Sequence, residues 1–200
     1  LKTKYPQGGE KMLIYSLTKR KVPDCGLPMD IGCIVQNVGT IIAIYEAVAL
    51  SKPLYERVIT VTGSVNSPKN LLVRNGTLMS ELIIQAGDYK GDPVKLINGG
   101  PMMGIAMPTD ELPIIKGTSG LTILNKEDIQ ERNEVECIRC GACVKVCPMN
   151  LHPTLIARYA KKGRVDLAEE TNGLSCIECG CCAFVCPSKL PLVHWIKYAK

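Results

Sequence analysis

Aromatic residues are scarce in this chain. Its 200 residues include one Phe, one Trp and seven Tyr, and the formal net charge is only +5. Few stacking platforms and scattered Lys and Arg argue against a nucleic-acid surface. No apolar run approaches the ~18 residues of a membrane-crossing helix. The longest candidate, Ile41 to Leu50, is short and carries Glu46. The first residues show no signal-peptide pattern. An apolar content of 46% with 22% charged residues excludes a disordered or collagen-like chain. The chain starts at Leu1 and stops at Lys200 inside an expected helix, so it reads as a piece of a longer protein.

Cysteine is what the chain has in excess. There are 11, and nine of them lie between 137 and 186. An odd total in tight clusters argues against a disulfide framework and for metal ligation in a reducing compartment. The first run is Cys137-Ile-Arg-Cys140-Gly-Ala-Cys143-Val-Lys-Val-Cys147-Pro148. The second is Cys176-Ile-Glu-Cys179-Gly-Cys181-Cys182-Ala-Phe-Val-Cys186-Pro187. Both follow the C-x2-C-x2-C-x3-C-P spacing of bacterial [4Fe–4S] ligation. Three thiolates spaced by two residues wrap three corners of one cubane, and the fourth reaches a second cluster. The spacing therefore predicts Cys137, Cys140, Cys143 and Cys186 on one cluster. It predicts Cys147, Cys176, Cys179 and Cys182 on the other. Gly141, Ala142 and Gly180 let the backbone approach each cluster. Structural zinc is the alternative, but zinc uses pairs of C-x2-C knuckles or Cys/His mixtures, not this quartet followed by Pro. Cys181 is expected to be a free thiol packed near a cluster, and Cys25 and Cys33 small core residues.

The segment between and beyond the two runs reads as helical. Pro153 suits a first helical turn, with Leu155, Ile156, Tyr159 and Ala160 on one face and Gly163 at the end. Arg164 to Thr171 is expected to form a short helix, and Leu192, Val193, Ile196 and Ala199 another apolar stripe. Met149, His152, His194 and Trp195 are expected in packing or at the surface. The acidic run Glu127 to Glu136 reads as a solvated approach segment.

The middle of the chain differs in composition. Arg57 to Thr62 and Asn70 to Arg74 read as strands separated by a turn, Thr77 to Ala86 as a helix capped by Thr77 or Gly76, and Val94 to Ile97 as a strand. Strand, strand, helix, strand is a β-grasp order. Gly99 to Gly104 (Gly-Gly-Pro-Met-Met-Gly) makes a tight loop, its Met pair packing on a partner or filling core. Further back, Leu13, Ile14 and Leu17 mark one helix face and Ile41 to Leu50 a second helix. The turns before them, Gly8-Gly9-Glu10 and Asn37-Val38-Gly39-Thr40, can present N–H groups to an anion such as a flavin phosphate.

Taken in order, these motifs resemble the RnfC family of the Rnf (Rsx) electron-transport complexes. The resemblance begins at Tyr5-Pro-Gln-Gly-Gly-Glu10 and Gln36-Asn-Val-Gly-Thr40. It continues through Glu56-Arg-Val-Ile-Thr-Val-Thr-Gly63, Pro68-Lys-Asn-Leu-Leu-Val-Arg74 and Gly99-Gly-Pro-Met-Met-Gly104, and ends in the two cysteine runs. It implies an α+β multidomain chain: a partial flavin/NADH-domain remnant at 1–52, a β-grasp (SLBB) domain at 53–125, and a helical dicluster ferredoxin domain at 126–200. It implies two [4Fe–4S] clusters, and FMN in the full-length protein but not retained by this piece. In complex I relatives a Gly-Glu-Glu-Thr turn and an Asn-Asn-Val-Glu-Thr turn line the flavin. The corresponding contacts here are Gly8, Gly9, Glu10, Asn37 and Thr40, with Gly9 and Gly39 where those relatives carry Glu.

The implied role is electron relay within a membrane-bound, ion-translocating ferredoxin:NAD oxidoreductase. Implied partners are the other subunits, with NAD(H) and flavin held through an upstream part; nucleic acid and a membrane span are not expected. The implied location is peripheral, on the cytoplasmic side of the bacterial inner membrane. A cobalamin-reductase-type flavoprotein shares this domain order, and a non-redox β-grasp module with structural clusters is the alternative from another class.

Overall fold

A computed structural model describes residues 1–129 and 133–200, so part of the acidic run Glu127 to Glu136 lies outside the described residues. The chain divides into two compact units, one joining Leu1–Val35 to the described residues from 133 onward, the other running from Gln36 through 129. Helix α1 (Glu10–Thr18) belongs to the first unit and buries Ile14. Helix α2 (Val38–Leu50) belongs to the second.

In the second unit α2 precedes strand β1 (Glu56–Gly63), strand β2 (Lys69–Arg74), helix α3 (Met79–Gln85), and strands β3 (Pro93–Asn98), β4 (Ile105–Met107) and β5 (Gly120–Asn125). The sheet order is β2-β1-β5-β3-β4. Strand β1 pairs parallel with β5, and the β1/β2, β3/β5 and β3/β4 pairs are antiparallel. First and last strands side by side, with a hairpin and a helix between them in sequence, make a β-grasp sheet. Alternation along Arg57 to Thr62 sends Ile59 and Val61 inward, each fully buried, and leaves Val58 exposed. They meet Leu121 and Ile123 of β5 and Met79, Leu82 and Ile83 of α3 in one core. Fully burying such side chains contributes about 1.5–3 kcal/mol each.

One local expectation is corrected here. Neither Thr77 nor Gly76 caps α3; the helix begins at Met79 without a side-chain cap. Its orphan N–H groups at Met79 and Ser80 donate to the carbonyls of Leu112 and Asp110, both at 2.9 Å. A neighbouring loop thus does the work of a capping side chain. Helix α2 forms as expected from its apolar run but buries none of its side chains; Ile41, Ile42, Ile44, Tyr45 and Val48 are all more than half exposed.

The first unit is helical from the cysteine runs onward: α4 (Ala142–Val146), α5 (Pro153–Lys161), α6 (Val165–Glu170), α7 (Cys181–Phe184) and α8 (Leu192–Tyr198). Ile156 and Ala160 of α5 pack with Ala168 of α6 and Ile196 of α8. Gly163 follows α5 with φ +70, as a helix-ending glycine does.

Gly63 closes β1 with φ +90, and a Cβ built there would collide with the Ile123 carbonyl oxygen. Replacing Gly63 by Ala combines a left-handed penalty with a backbone clash. It should destabilise the sheet unit by roughly 2–4 kcal/mol in urea unfolding followed by circular dichroism. A change within about 0.5 kcal/mol, the range of ordinary surface substitutions, would contradict this account.

Candidate metal centres

The two cysteine runs fold alike. Arg139 and Glu178, the residues before the second cysteines, take left-handed conformations with φ +58 and +56. Gly141 and Gly180 follow with φ +72 and +81, opening α4 and α7. Asn150 and Lys189, three residues after the fourth cysteines, repeat the pattern with φ +55 and +53. Each run is therefore a loop, a short helix and a turn, followed by a longer helix, α5 or α8. The left-handed residue reverses the chain between two cysteines, which turns successive thiols toward one hollow. Glycine suits the next reversal because its φ there strains any side chain.

Two hollows result. The first, of about 210 Å³, is lined by Cys137, Cys140, Cys143 and Cys186, with Arg139, His152 and Arg158. The second is narrower, about 20 Å³, and is lined by Cys147, Cys176, Cys179 and Cys182. Its other lining side chains are apolar, among them Met149, Leu151, Val193 and Ile196. Each hollow draws three thiols from one run and the fourth from the other. Cys181 lines neither hollow, although it is buried. No three His, Cys, Asp or Glu side chains among the described residues gather as ligands of one metal ion. A cubane has four separate iron corners, so its thiolates need not converge on a single point. Four thiols without a carboxylate are a donor set that fits iron–sulfur chemistry.

The electrostatics of the second hollow are severe for a bare thiolate. Burial pushes the Cys182 thiol up to about 12, and the neighbouring Cys176 adds to the rise through like charge. Burial also raises Cys176, partly opposed by an N–H from Glu178 to its sulfur at 3.4 Å and by the Lys200 ammonium. Cys147 sulfur accepts the Leu151 N–H, also at 3.4 Å. Cys176 and Cys182 are neutral unless a metal charge compensates them.

The loop of the second run is also held by residues far away in sequence. The Tyr5 hydroxyl donates to the Cys179 carbonyl at 2.5 Å. Ser175 Oγ donates to Asp24 at 2.9 Å, and the space beside Gly9 is bounded by the Ile177 side chain. Lys200 donates to the Cys176 carbonyl at 2.9 Å and pairs with Glu178 at 3.0 Å, where Lys197 is also close. Sequence reasoning missed Tyr5, Asp24 and Lys200, because nothing in a Tyr-Pro turn or a terminal Lys signals a distant carbonyl.

The remaining expectations divide. Cys25 is exposed, with φ +57, and Cys33 is only half-buried. Neither is a core residue. His152 and His194 are exposed, while Met149 and Trp195 pack against the α5/α8 core. Met103 is half exposed and neither Met102 nor Met103 fills the core. Gly8, Gly9 and Glu10 lie at the start of α1 in the first unit. Asn37 and Thr40 lie at the start of α2 in the second. Asn37 caps α2 itself, its side chain accepting the Gly39 N–H at 2.9 Å. Within that unit Asn37 and Thr40 border a cleft of about 580 Å³ with Lys52, Arg57 and Lys116.

A β-grasp sheet beside two four-thiol hollows in one chain fits the iron–sulfur class of protein. Family models match along the chain: a Nuo51 FMN-binding domain over residues 1–46, an SLBB domain over 58–106 and a 4Fe-4S dicluster domain over 136–190. Relatives narrow it further. The chain is 50% identical over 171 residues to the RnfC subunit of the proton-translocating ferredoxin:NAD(+) oxidoreductase complex of Clostridium ljungdahlii, covering 85% of this chain and 37% of the relative. It is 44% identical to the RnfC subunit of the Na(+)-translocating complex of Acetobacterium woodii, over 84% of this chain and 38% of that one. The RnfC subunit of the Methanosarcina acetivorans ion-translocating oxidoreductase complex is 41% identical, over 94% and 42%. The chain belongs to this RnfC family, and it spans less than half the length of these curated relatives.

The Tyr5 contact yields a direct test. Tyr5→Phe removes one donor from the Cys179 carbonyl and should cost about 1 kcal/mol of stability. In reconstituted protein it should shift the EPR signal of the centre that Cys179 serves and leave the other signal in place. Equal shifts in both signals would break the link between residue 5 and the second hollow.

Proposed function

We propose that this chain is the cluster-bearing part of the RnfC subunit of an ion-translocating ferredoxin:NAD(+) oxidoreductase, relaying single electrons through two [4Fe–4S] clusters. One observation carries the reading: eight thiols sort into two hollows of four, each three-plus-one across the two runs. On this reading Cys137, Cys140, Cys143 and Cys186 hold one cluster, and Cys147, Cys176, Cys179 and Cys182 hold the other. Bound clusters supply one-electron chemistry, and the protein tunes it through burial and N–H donors to sulfur. The N–H groups of Leu151 and Glu178 are such donors. Cys181 is a bystander thiol.

The relatives' names supply the wider context, in which electrons pass between ferredoxin and NAD(+) while protons or sodium ions move. In that context the partners are the other subunits of a membrane complex. Flavin and NAD(H) are held by a flavin domain of which residues 1–46 match a part; Gly8, Gly9, Glu10, Asn37 and Thr40 are its proposed contacts here. No helix among the described residues is long and apolar enough to cross a membrane. Attachment on this reading runs through protein contacts, at the cytoplasmic face of the bacterial inner membrane.

Anaerobic reconstitution with iron and sulfide, then dithionite reduction and EPR, tests the relay. Two reversible [4Fe–4S] signals are expected. Cys147→Ser should alter the signal of the Cys176/Cys179/Cys182 centre and leave the other assembled, whereas Cys181→Ser should leave both unchanged. Loss of only the Cys137-side centre in Cys147→Ser, or of either centre in Cys181→Ser, would overturn the assignment. FMN added to this chain should separate from it on gel filtration, since the five proposed contacts are a fraction of a flavin cradle; stoichiometric co-elution would show that they suffice.

A further inference from the structure

Glu178 and Arg139 stand at equivalent places in the two cysteine runs, with φ +56 and +58. The left-handed turn therefore forms with either side chain. The sulfurs beside it differ. The Glu178 N–H donates to Cys176 Sγ and the Leu151 N–H to Cys147 Sγ, each at 3.4 Å. Both sulfurs line the second hollow. Among the described residues no N–H bond reaches a sulfur of the first hollow, Cys137 included, although Cys137 is the counterpart of Cys176.

The second run also carries a clamp that the first lacks. Lys200 Nζ donates to the Cys176 carbonyl at 2.9 Å and pairs with Glu178 Oε1 at 3.0 Å. One ammonium thus ties the main chain of residue 176 to the side chain of residue 178, the same two residues that share the N–H to sulfur bond. Lys197 holds the other carboxylate oxygen, Oε2, at 3.5 Å. The two lysines come from the end of α8, three residues apart and so on one side of the helix. Next to each lies a core residue, Ile196 and Ala199, both buried in the α5/α8 core. Packing therefore fixes the base of the clamp. Lys200 and Glu178 are each less than a third exposed, so water screens the pair less than it screens a fully exposed one. Arg139 takes part in no salt bridge among the described residues.

We propose that Lys200, assisted by Lys197, is a positioning residue for the second centre: it clamps Cys176 to Glu178 so that the Glu178 N–H stays aimed at the Cys176 sulfur, which raises the reduction potential of that centre. The proposal rests on the relay reading above. A donor to sulfur and a nearby cation both favour the state that holds one more electron, because both compensate added negative charge. Glu178 offsets one of the two ammonium groups, which leaves one positive charge beside the second loop. None of these three side chains is a ligand; they act by orienting one, as outer partners of a metal site do.

The test is a redox titration followed by EPR on the cluster-loaded chain, with iron content checked and the signals assigned through Cys147→Ser. Lys200→Met should lower the midpoint potential of the Cys176-side centre and leave the other in place. Lys200→Arg, which keeps a cationic donor, should restore most of the shift. Electron–nuclear double resonance before and after exchange into D2O should show one exchangeable-proton coupling at that centre weakened in Lys200→Met. Lys162→Met removes the same charge from an exposed site at the end of α5 and should leave both potentials unchanged. An unchanged or raised potential at the Cys176-side centre in Lys200→Met, or an equal fall in Lys162→Met, overturns the clamp and leaves the relay standing. A lowered potential with the proton coupling intact overturns positioning in favour of charge alone. Absence of two reversible signals in the wild type overturns the relay reading itself.

Discussion

A thiol is easily buried, but a thiolate in an apolar hollow needs a cation beside it, and the helical unit is organised around that difference. The second hollow surrounds Cys147, Cys176, Cys179 and Cys182 with apolar side chains, and burial there holds Cys182 at about 12. Without a compensating charge Cys147, Cys176 and Cys182 are side chains packed into the apolar clusters that α5 and α8 build. With one they become ligands whose negative charge is matched. The same packing that makes bare thiolates unfavourable therefore favours a metal centre over free ionised cysteines.

Duplication is the second organising feature. The two runs share their left-handed positions, Arg139 with Glu178, Gly141 with Gly180 and Asn150 with Lys189. Each ends in a proline that turns the chain into the approach to the next long helix. Neither run encloses a hollow alone, because α4 and α7 carry the fourth cysteine away from its own triplet. Each hollow is therefore lined by side chains of both runs. What the duplication leaves unequal is the shelter: one loop tip is tied to Tyr5, Lys197 and Lys200, and the other is exposed with Ile138 at its apex.

The sheet unit obeys a separate logic. Its parallel β1/β5 pair places Ile59, Val61, Leu121 and Ile123 against α3, and Gly63 permits the backbone of β1 to pass close to Ile123. No cysteine enters this core. Its polar cleft at the start of α2, with Lys52, Arg57 and Lys116, lies in the same unit as Asn37 and Thr40. Helix α2, whose Thr40, Ile42 and Ala43 line that cleft, buries none of its side chains.

Much of this was legible in the residues alone. The cysteine spacing pointed to iron–sulfur chemistry, because thiolate geometry around a cubane tolerates few intervals, and a 4Fe-4S dicluster domain matches over residues 136–190. Strand-like segments separated by a turn located β1 and β2, and proline and glycine located the ends of α5. The short strands β4 and β5 were not anticipated, although β5 is central to the sheet; a six-residue segment such as Gly120–Asn125 acquires its strand identity from the partners it pairs with. Capping of α3 by the Leu112 and Asp110 carbonyls, the exposure of Cys25, and the hold of Tyr5 on Cys179 belong to the same class. Local chemistry and spacing are properties of neighbouring residues and survive in the sequence by itself. Which distant groups cover a loop, satisfy an orphan N–H or leave a thiol bare depends on long-range packing, and only the tertiary structure decided that one cysteine loop is sheltered and its twin is open.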